Sequence, residues 1–333
     1  MDLILNTFGT SLVKDNDTFL VIHKDGKQRI DPAKLKSITI SKGASITSDA
    51  AILAIEKEID VSFVDGTGKP HGRIWSNKYG SISTIRKNQV DFAFSVDAID
   101  WIKDIIQDKL DNQIAVLLSF TPPDERIETK VKTAIRRIED YKTKVKNLQG
   151  ETVSEVAPSL RGWEGAAGKI YFETINLFLP DGFKMNSRSQ HPAMDVPNCF
   201  LNYGYGILYG KIESALIKAG IDPYVGVMHR DDYNRPVLVF DVIEKFRVWV
   251  DFVVFSLVMQ KVLNEDCYQI KDDGSYWLEA LGKRIVVQSV NDYLNETIRI
   301  KAMERSRITH IQLFAHDFAK YLLEYKPIPK YQP

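Results

Sequence analysis

The chain has little cysteine, and that scarcity removes whole classes of protein. Two cysteines, Cys199 and Cys267, cannot make a disulfide framework or a thiolate zinc cluster. Both read as small buried apolar residues in a reducing compartment. Net charge is missing too, since 44 Lys and Arg balance 44 Asp and Glu. No global field recruits a polyanion, so any nucleic-acid site has to be a local basic patch. Long apolar runs are absent: the most apolar segment, FRVWVDFVVFSLVM from Phe246, carries Arg247 and Asp251 and is too short to span a bilayer. The opening MDLILNTFGTSL has neither a basic start nor an extended apolar stretch, so it does not read as a secretory leader. The expected location is the cytoplasm. No internal repeat and no low-complexity linker is found.

What is present is a soluble, globular text of 333 residues, 44% apolar and 26% charged, long enough for two domains. Up to about Trp75 it is written mostly in period two. TFLVIHKDGKQRI places Asp25-Gly26 between two alternating runs, a hairpin signal, and LKSITI and DVSFVD read as further strands. TSDAAILAIEKEI interrupts them with a short helix capped by Thr47 or Ser48. From about Ser95 the period becomes helical. SVDAIDWIKDIIQDKL, then TPPDERIETKVKTAIRRIEDYKTKVKNL with Pro122 near a first turn, then SLRGWEGAAGKIYFETINLFL, are separate helices. So are NCFLNYGYGILYGKIESALIKAG, the run after Pro236, SVNDYLNETIRIKAMERSR and ITHIQLFAHDFAKYLL. The fold class is therefore α+β in two domains. A small β-rich domain is expected over 1–88 and a larger all-α domain over 89–325, with a Pro-rich tail over 326–333.

VMHRDDYNRPVLVFDVIEKFR, Val227 to Arg247, concentrates chemistry in residues that otherwise read as buried. Asp241 and Glu244 are three apart on a helix, which brings both carboxylates to one face. His229 ends an extended apolar run, and the loop after it has room to return it to that face. The best candidate for a third acid is Glu164, surrounded by Gly162, Gly165, Ala166, Ala167 and Gly168. Each such glycine costs a helix about 1 kcal/mol against alanine. The sequence therefore expects a close approach there, by another helix or by a substrate backbone. Two carboxylates and an imidazole suit Mg or Mn completed by water and phosphate oxygens. The competing reading is a solvated acidic face with a structural histidine.

Three ordered blocks decide between these readings: RGWEGAAGKIYF, then SRSQHPAMDVPNCFLNYGYGILYGKIESALIKAGIDPYVGVMH, then RPVLVFDVIEKFR. Together they resemble the motifs of the CRISPR-associated adaptation integrase, the first Cas protein. MDLILNTFGTSL and ITSDAAILAIEKEIDVSFVDGTGKPHGRI resemble its N-terminal domain, so the likeness covers nearly the whole chain.

The resemblance implies a β-rich domain that dimerises and a helical domain that binds Mg2+ or Mn2+ through Glu164, His229 and Glu244, with Asp241 in support. It implies a DNA endonuclease and integrase that inserts short foreign fragments into a CRISPR array. A fragment 3′-hydroxyl would attack a repeat phosphodiester. The implied partners are double-stranded DNA, a second copy of the chain and a second Cas adaptation protein. The family's junction motif falls on Arg86, Lys87 and Gln89. With Arg161, Arg188, Arg230 and Arg247, that basic pair makes the expected DNA-binding set. Arg188, Asn198, Tyr203 and Tyr205 fit either a DNA lining or a packed helix with a capped start. The basic run KVKTAIRRIEDYKTKVKN fits either a solvated face or a phosphate contact, whereas Tyr171, Phe172, His310 and His316 read as structural. The alternatives to an integrase are a non-catalytic DNA-binding scaffold of the same fold and a metal-dependent phosphoesterase.

Overall fold

The computed structural model describes residues 2–65, 70–74, 83–190, 192–229 and 235–326. Its contacts divide the chain into two compact units, residues 1–81 and 82–333.

The first unit holds β1 (Asp2–Leu5), β2 (Ser11–Asp15), β3 (Thr18–His23), β4 (Gly26–Ile30), β5 (Ser37–Ser41), β6 (Ser45–Ile46), α1 (Ser48–Glu56), β7 (Asp60–Val64) and β8 (Pro70–Ile74). The strands form two four-stranded sheets, ordered β1-β5-β7-β8 and β4-β3-β2-β6. In the first sheet β1, β5 and β7 run parallel and β8 runs antiparallel to β7. Leu12, Phe19, Ile38, Ile40, Leu53 and Val61 make the core of this unit. The expected hairpin is present with its turn one residue early: His23 pairs with Gly26, so Lys24 and Asp25 form the loop. Thr47 caps α1 by accepting from the Ala50 amide.

The second unit is built from α2 (Ser83–Ala93), α3 (Asp97–Ser119), α4 (Glu125–Asn147), α5 (Val153–Ile175), α6 (Val196–Lys218) and α7 (Val237–Met259). After these come the hairpin β9 (Tyr268–Ile270) and β10 (Tyr276–Leu278), α8 (Ala280–Asn295), the hairpin β11 (Thr297–Ile300) and β12 (Met303–Ser306), and α9 (Arg307–Glu324). It is predominantly helical, and the two hairpins correct the all-α expectation. The helix expected over SVNDYLNETIRIKAMERSR ends at Asn295, and the rest forms β11 and β12. Pro122 lies outside α4, whose cap is Asp124 accepting from the Ile127 amide at 2.7 Å.

The expected boundary at residue 88 falls inside α2. Its polar surface reads as a linker, yet Ile85, Gln89 and Phe92 are buried at helical spacing. Asn88 donates to the Leu322 and Tyr325 carbonyls at the end of α9. Helix α2 thus belongs to the helical unit.

Helix α7 decides where the chemistry sits. It packs against α3, α6 and α8, and its buried set includes Leu238, Val239, Val242, Ile243, Phe246, Val250, Val254 and Phe255. Each fully buried side chain of this kind contributes roughly 1.5–3 kcal/mol. The same helix buries Asp241, Glu244 and Asp251. A charge buried without a partner is costly, so each of these three needs a compensating group.

Candidate active site

Asp241 is fully buried and accepts four hydrogen bonds. The amides of Val227, Met228 and His229 donate to its carboxylate at 2.7, 3.2 and 3.1 Å, and His229 Nδ1 donates to Oδ1 at 2.7 Å. One carboxylate therefore shapes the loop before α7 and sets the histidine tautomer. An ionised carboxylate only accepts, so the proton is on Nδ1 and Nε2 is left for another partner. Gly226 makes the loop possible: a Cβ there would stand 2.3 Å from the His229 carbonyl oxygen and 2.8 Å from Val237 Cγ2. The Asp241 hydrogen bond raises the His229 pKa, burial lowers it, and the Asp241, Glu244 and Glu164 charges add to the rise.

Glu244 lies one turn after Asp241, on the inner side of α7. It faces Glu164 of α5 across a third group, Lys109 of α3. The Lys109 ammonium donates to Glu244 Oε2 at 2.5 Å and also to Glu164 Oε1. Arg247 Nη1 stands 3.1 Å from Glu244 Oε1. Burial alone would raise the Glu244 carboxyl, but Arg247 and Lys109 outweigh it and hold the group well below the carboxylate range. Burial works against the Lys109 ammonium as well, yet Glu244 and Glu164 leave its pKa above the ordinary lysine value. The two expected acids thus converge on one cation. His229 is near enough to feel both charges. Among the described residues no three His, Cys, Asp or Glu groups are drawn together into a ready ligand set. The donor chemistry suits a hard divalent ion: two carboxylates that already share a cation, and an imidazole whose Nε2 is not engaged by any described residue.

Lys109 is the residue that the sequence reading misses. The apolar stripe of α3 runs Ile102, Ile105, Ile106, Leu110, Val116 and Leu117, and Lys109 and Gln113 stand in that stripe. A lysine in a buried stripe, 8% exposed here, was the available signal. The register of α3 against α7 is secured beside it by Lys245 paired with Asp108 and by Asn112 donating to the Lys245 carbonyl at 3.0 Å.

The expected DNA-binding residues fall into different surroundings. Arg86 is half-buried on α2 and Lys87 is exposed, whereas Gln89 is buried and holds the Asp222 and Val225 backbone. Arg161 is exposed on α5, one turn before Glu164. Arg188 donates to Asn198, Asn202 and the Ser189 carbonyl, so its guanidinium already braces the start of α6. Arg247 lies over the Tyr205 ring at 5.0 Å and Arg188 over the same ring at 5.3 Å. Arg230 lies outside the described residues. Tyr203 is half-buried against the core, and Tyr205 and Tyr171 are buried, donating to Asp251. Burial raises the Asp251 carboxyl to about 6 against the lowering effect of those hydroxyls. Cys199 and Cys267 are buried, as expected.

On the open side of α5, a Cβ added at Gly162, Gly165 or Gly168 would meet nothing within 4 Å. Among the described residues no helix packs onto that glycine face. No helix in the described part is long and apolar enough to cross a membrane.

The sequence from residue 3 to residue 292 matches the family described as CRISPR associated protein Cas1. The CRISPR-associated endonuclease Cas1 1 of Archaeoglobus fulgidus is 29% identical, over 97% of this chain and 96% of that protein. The CRISPR-associated protein Cas1 3 of Methanobrevibacter ruminantium is 30% identical over 80% of each chain. Several solved structures share the fold. A casposase bound to integration product has a TM-score of 0.82 at 21% identity, over 99% of this chain and 94% of that one. A Cas1 protein from Thermotoga maritima has a TM-score of 0.81 at 20% identity, over the full length of both. With the family matched over most of its length, the chain belongs to the Cas1 family of CRISPR-associated proteins.

Proposed function

We propose that the protein is a divalent-metal-dependent DNA endonuclease and integrase that inserts short foreign DNA fragments into a CRISPR array. The observation that carries this reading is the convergence of Glu164 and Glu244, from two helices, on one buried cation beside a histidine fixed by Asp241. The relatives' names add support, since several are called CRISPR-associated endonucleases. So do the casposase bound to integration product and a structure described as a Cas6-RT-Cas1–Cas2 complex, to one chain of which this fold aligns with a TM-score of 0.79. The proposed partners are double-stranded DNA, a second copy of the chain and a second Cas adaptation protein.

In this reading Glu164, Glu244 and His229 hold Mg2+ or Mn2+. The bound ion would draw charge from the phosphate and favour the attacking hydroxyl in its ionised form. Asp241 keeps the His229 ring turned with Nε2 available. Arg247, beside Glu244, offers positive charge to a phosphate that approaches the carboxylates. A fragment 3′-oxygen forms a bond to a repeat phosphorus as the repeat's own 3′-oxygen leaves. One phosphodiester replaces another: the attacking hydroxyl gives up a proton and the departing 3′-oxygen takes one up to become a hydroxyl. Hydrolysis is the same exchange with water as the attacking group. The open glycine face beside Glu164 leaves room for a nucleic-acid backbone.

The test is an integration assay with a short duplex and a repeat-bearing plasmid, with and without the second adaptation protein. Joined product should require a free 3′-hydroxyl on the fragment. Equal product from a 3′-dideoxy fragment, or no DNA strand chemistry under any metal, would defeat the proposal.

A further inference from the structure

We propose that Lys109 is a built-in counter-cation for Glu164 and Glu244, holding the carboxylates together until a divalent ion replaces it, so that the ion binds in competition with the ammonium. The inference rests on the proposed metal site. A lysine is among the side chains least often buried, yet this one is 8% exposed and reaches two carboxylates from two other helices. Those carboxylates meet the same nitrogen, so their oxygens stand within two hydrogen-bond lengths of each other. Without a cation between them, like charges would be forced together in a place largely closed to water. Lys109 and Arg247 together balance the two acids. A divalent ion would need the carboxylate oxygens that the ammonium holds, so its entry calls for the ammonium to withdraw. The flexible four-carbon stem permits that withdrawal. Asn112 and the pairing of Lys245 with Asp108 keep α3 and α7 in register when it does.

Mn2+ binding to the full-length protein, followed by calorimetry, separates the possibilities. The variants are Lys109→Met, Lys109→Arg and Glu244→Gln. Lys109→Met should bind Mn2+ about tenfold tighter or more than the parent, a coupling typical of two linked occupants. It should melt at lower temperature in chelator and recover most of that loss in Mn2+. Lys109→Arg should stay near the parent in both respects, and Glu244→Gln should lose binding. Parent binding that depends on Glu244 but is not tightened in Lys109→Met would overturn the role of Lys109 and leave the metal site standing. Failure of the parent to bind Mn2+ at millimolar concentration would overturn both.

A second measurement needs no lysine variant. Acylation of Lys109 by an activated ester, read by peptide mass spectrometry, should rise several-fold when Mn2+ saturates the parent and not in Glu244→Gln. Unchanged labelling at saturation would overturn the proposal even if Lys109→Met failed to fold.

Discussion

Asp241 takes no place among the proposed ligands, yet three backbone amides and an imidazole depend on it. Asp241→Asn keeps the volume but loses the all-acceptor carboxylate, so His229 is free to turn and take the other tautomer. DNA cleavage should fall about 10–100-fold, the range for groups that orient a metal ligand. A rate within twofold of the parent would show that the loop holds itself. Asp251 gives a pH prediction elsewhere in the core. Its folded pKa, about 6, lies above the ordinary aspartate value of 3.8. Between those values the folded protein keeps a proton that the unfolded chain has lost, so this group's stabilisation is full below about pH 4. It falls as the pH rises to about 6 and is level above. The loss approaches about 3 kcal/mol, at 1.36 kcal/mol per unit. Asp251→Asn should remove this slope from urea titrations across that window, and an unchanged slope would contradict it. At this scale the sequence was most legible where charge stood among apolar neighbours at known spacing, as with Asp241 and Glu244. Lys109 carries the same signal in α3, but its partners lie 55 and 135 residues away, beyond the reach of local spacing.

Elements were read well where period and caps agreed. Helix α1 has its Thr47 cap, and α7 begins directly after Pro236. The stretch after Asn295 misled because its charges suit a helix surface, while Lys301 at φ 54 turns β11 back onto β12. The glycines of α5 admit two readings, a second helix or a substrate backbone, and no described residue comes within 4 Å of a Cβ placed at Gly162, Gly165 or Gly168. Gly226 supplies the test for the loop. Gly226→Ala puts a methyl group against the His229 carbonyl and Val237, and repositioning the loop should cost about 1–3 kcal/mol. Activity should fall more than the melting temperature alone explains, because His229 moves with the loop. Equal activity in folded Gly226→Ala would mean that the histidine position is not critical.

At the scale of the whole molecule, the two-domain α+β plan was legible from the change of period, but α2 concealed the boundary. A fragment ending at Ser81 is therefore the better test of dimerisation than one ending at Asn88. It should sediment as a dimer, and a monomer there beside a dimeric remainder would move the interface to the helical unit. A chain with 44 charges of each sign would have to hold the proposed DNA through local patches. Arg86→Ala should weaken binding to unrelated duplexes and make the salt slope shallower by about one unit, whereas Lys330→Ala should do neither. Arg188→Ala should lower the melting temperature as well, since Asn198 and Asn202 lose their donor. In the proposed function, Glu164, His229 and Glu244 form one metal-dependent catalytic centre. Its most direct measurement is cleavage of branched DNA with Mg2+, Mn2+ or chelator, for the parent and for Glu164→Ala, His229→Ala and Glu244→Ala with their folding checked. Parent activity is expected only with a divalent ion, with a loss of at least about a hundredfold in each folded variant. Activity that persists in chelator, or in all three variants with the ion supplied, would contradict it.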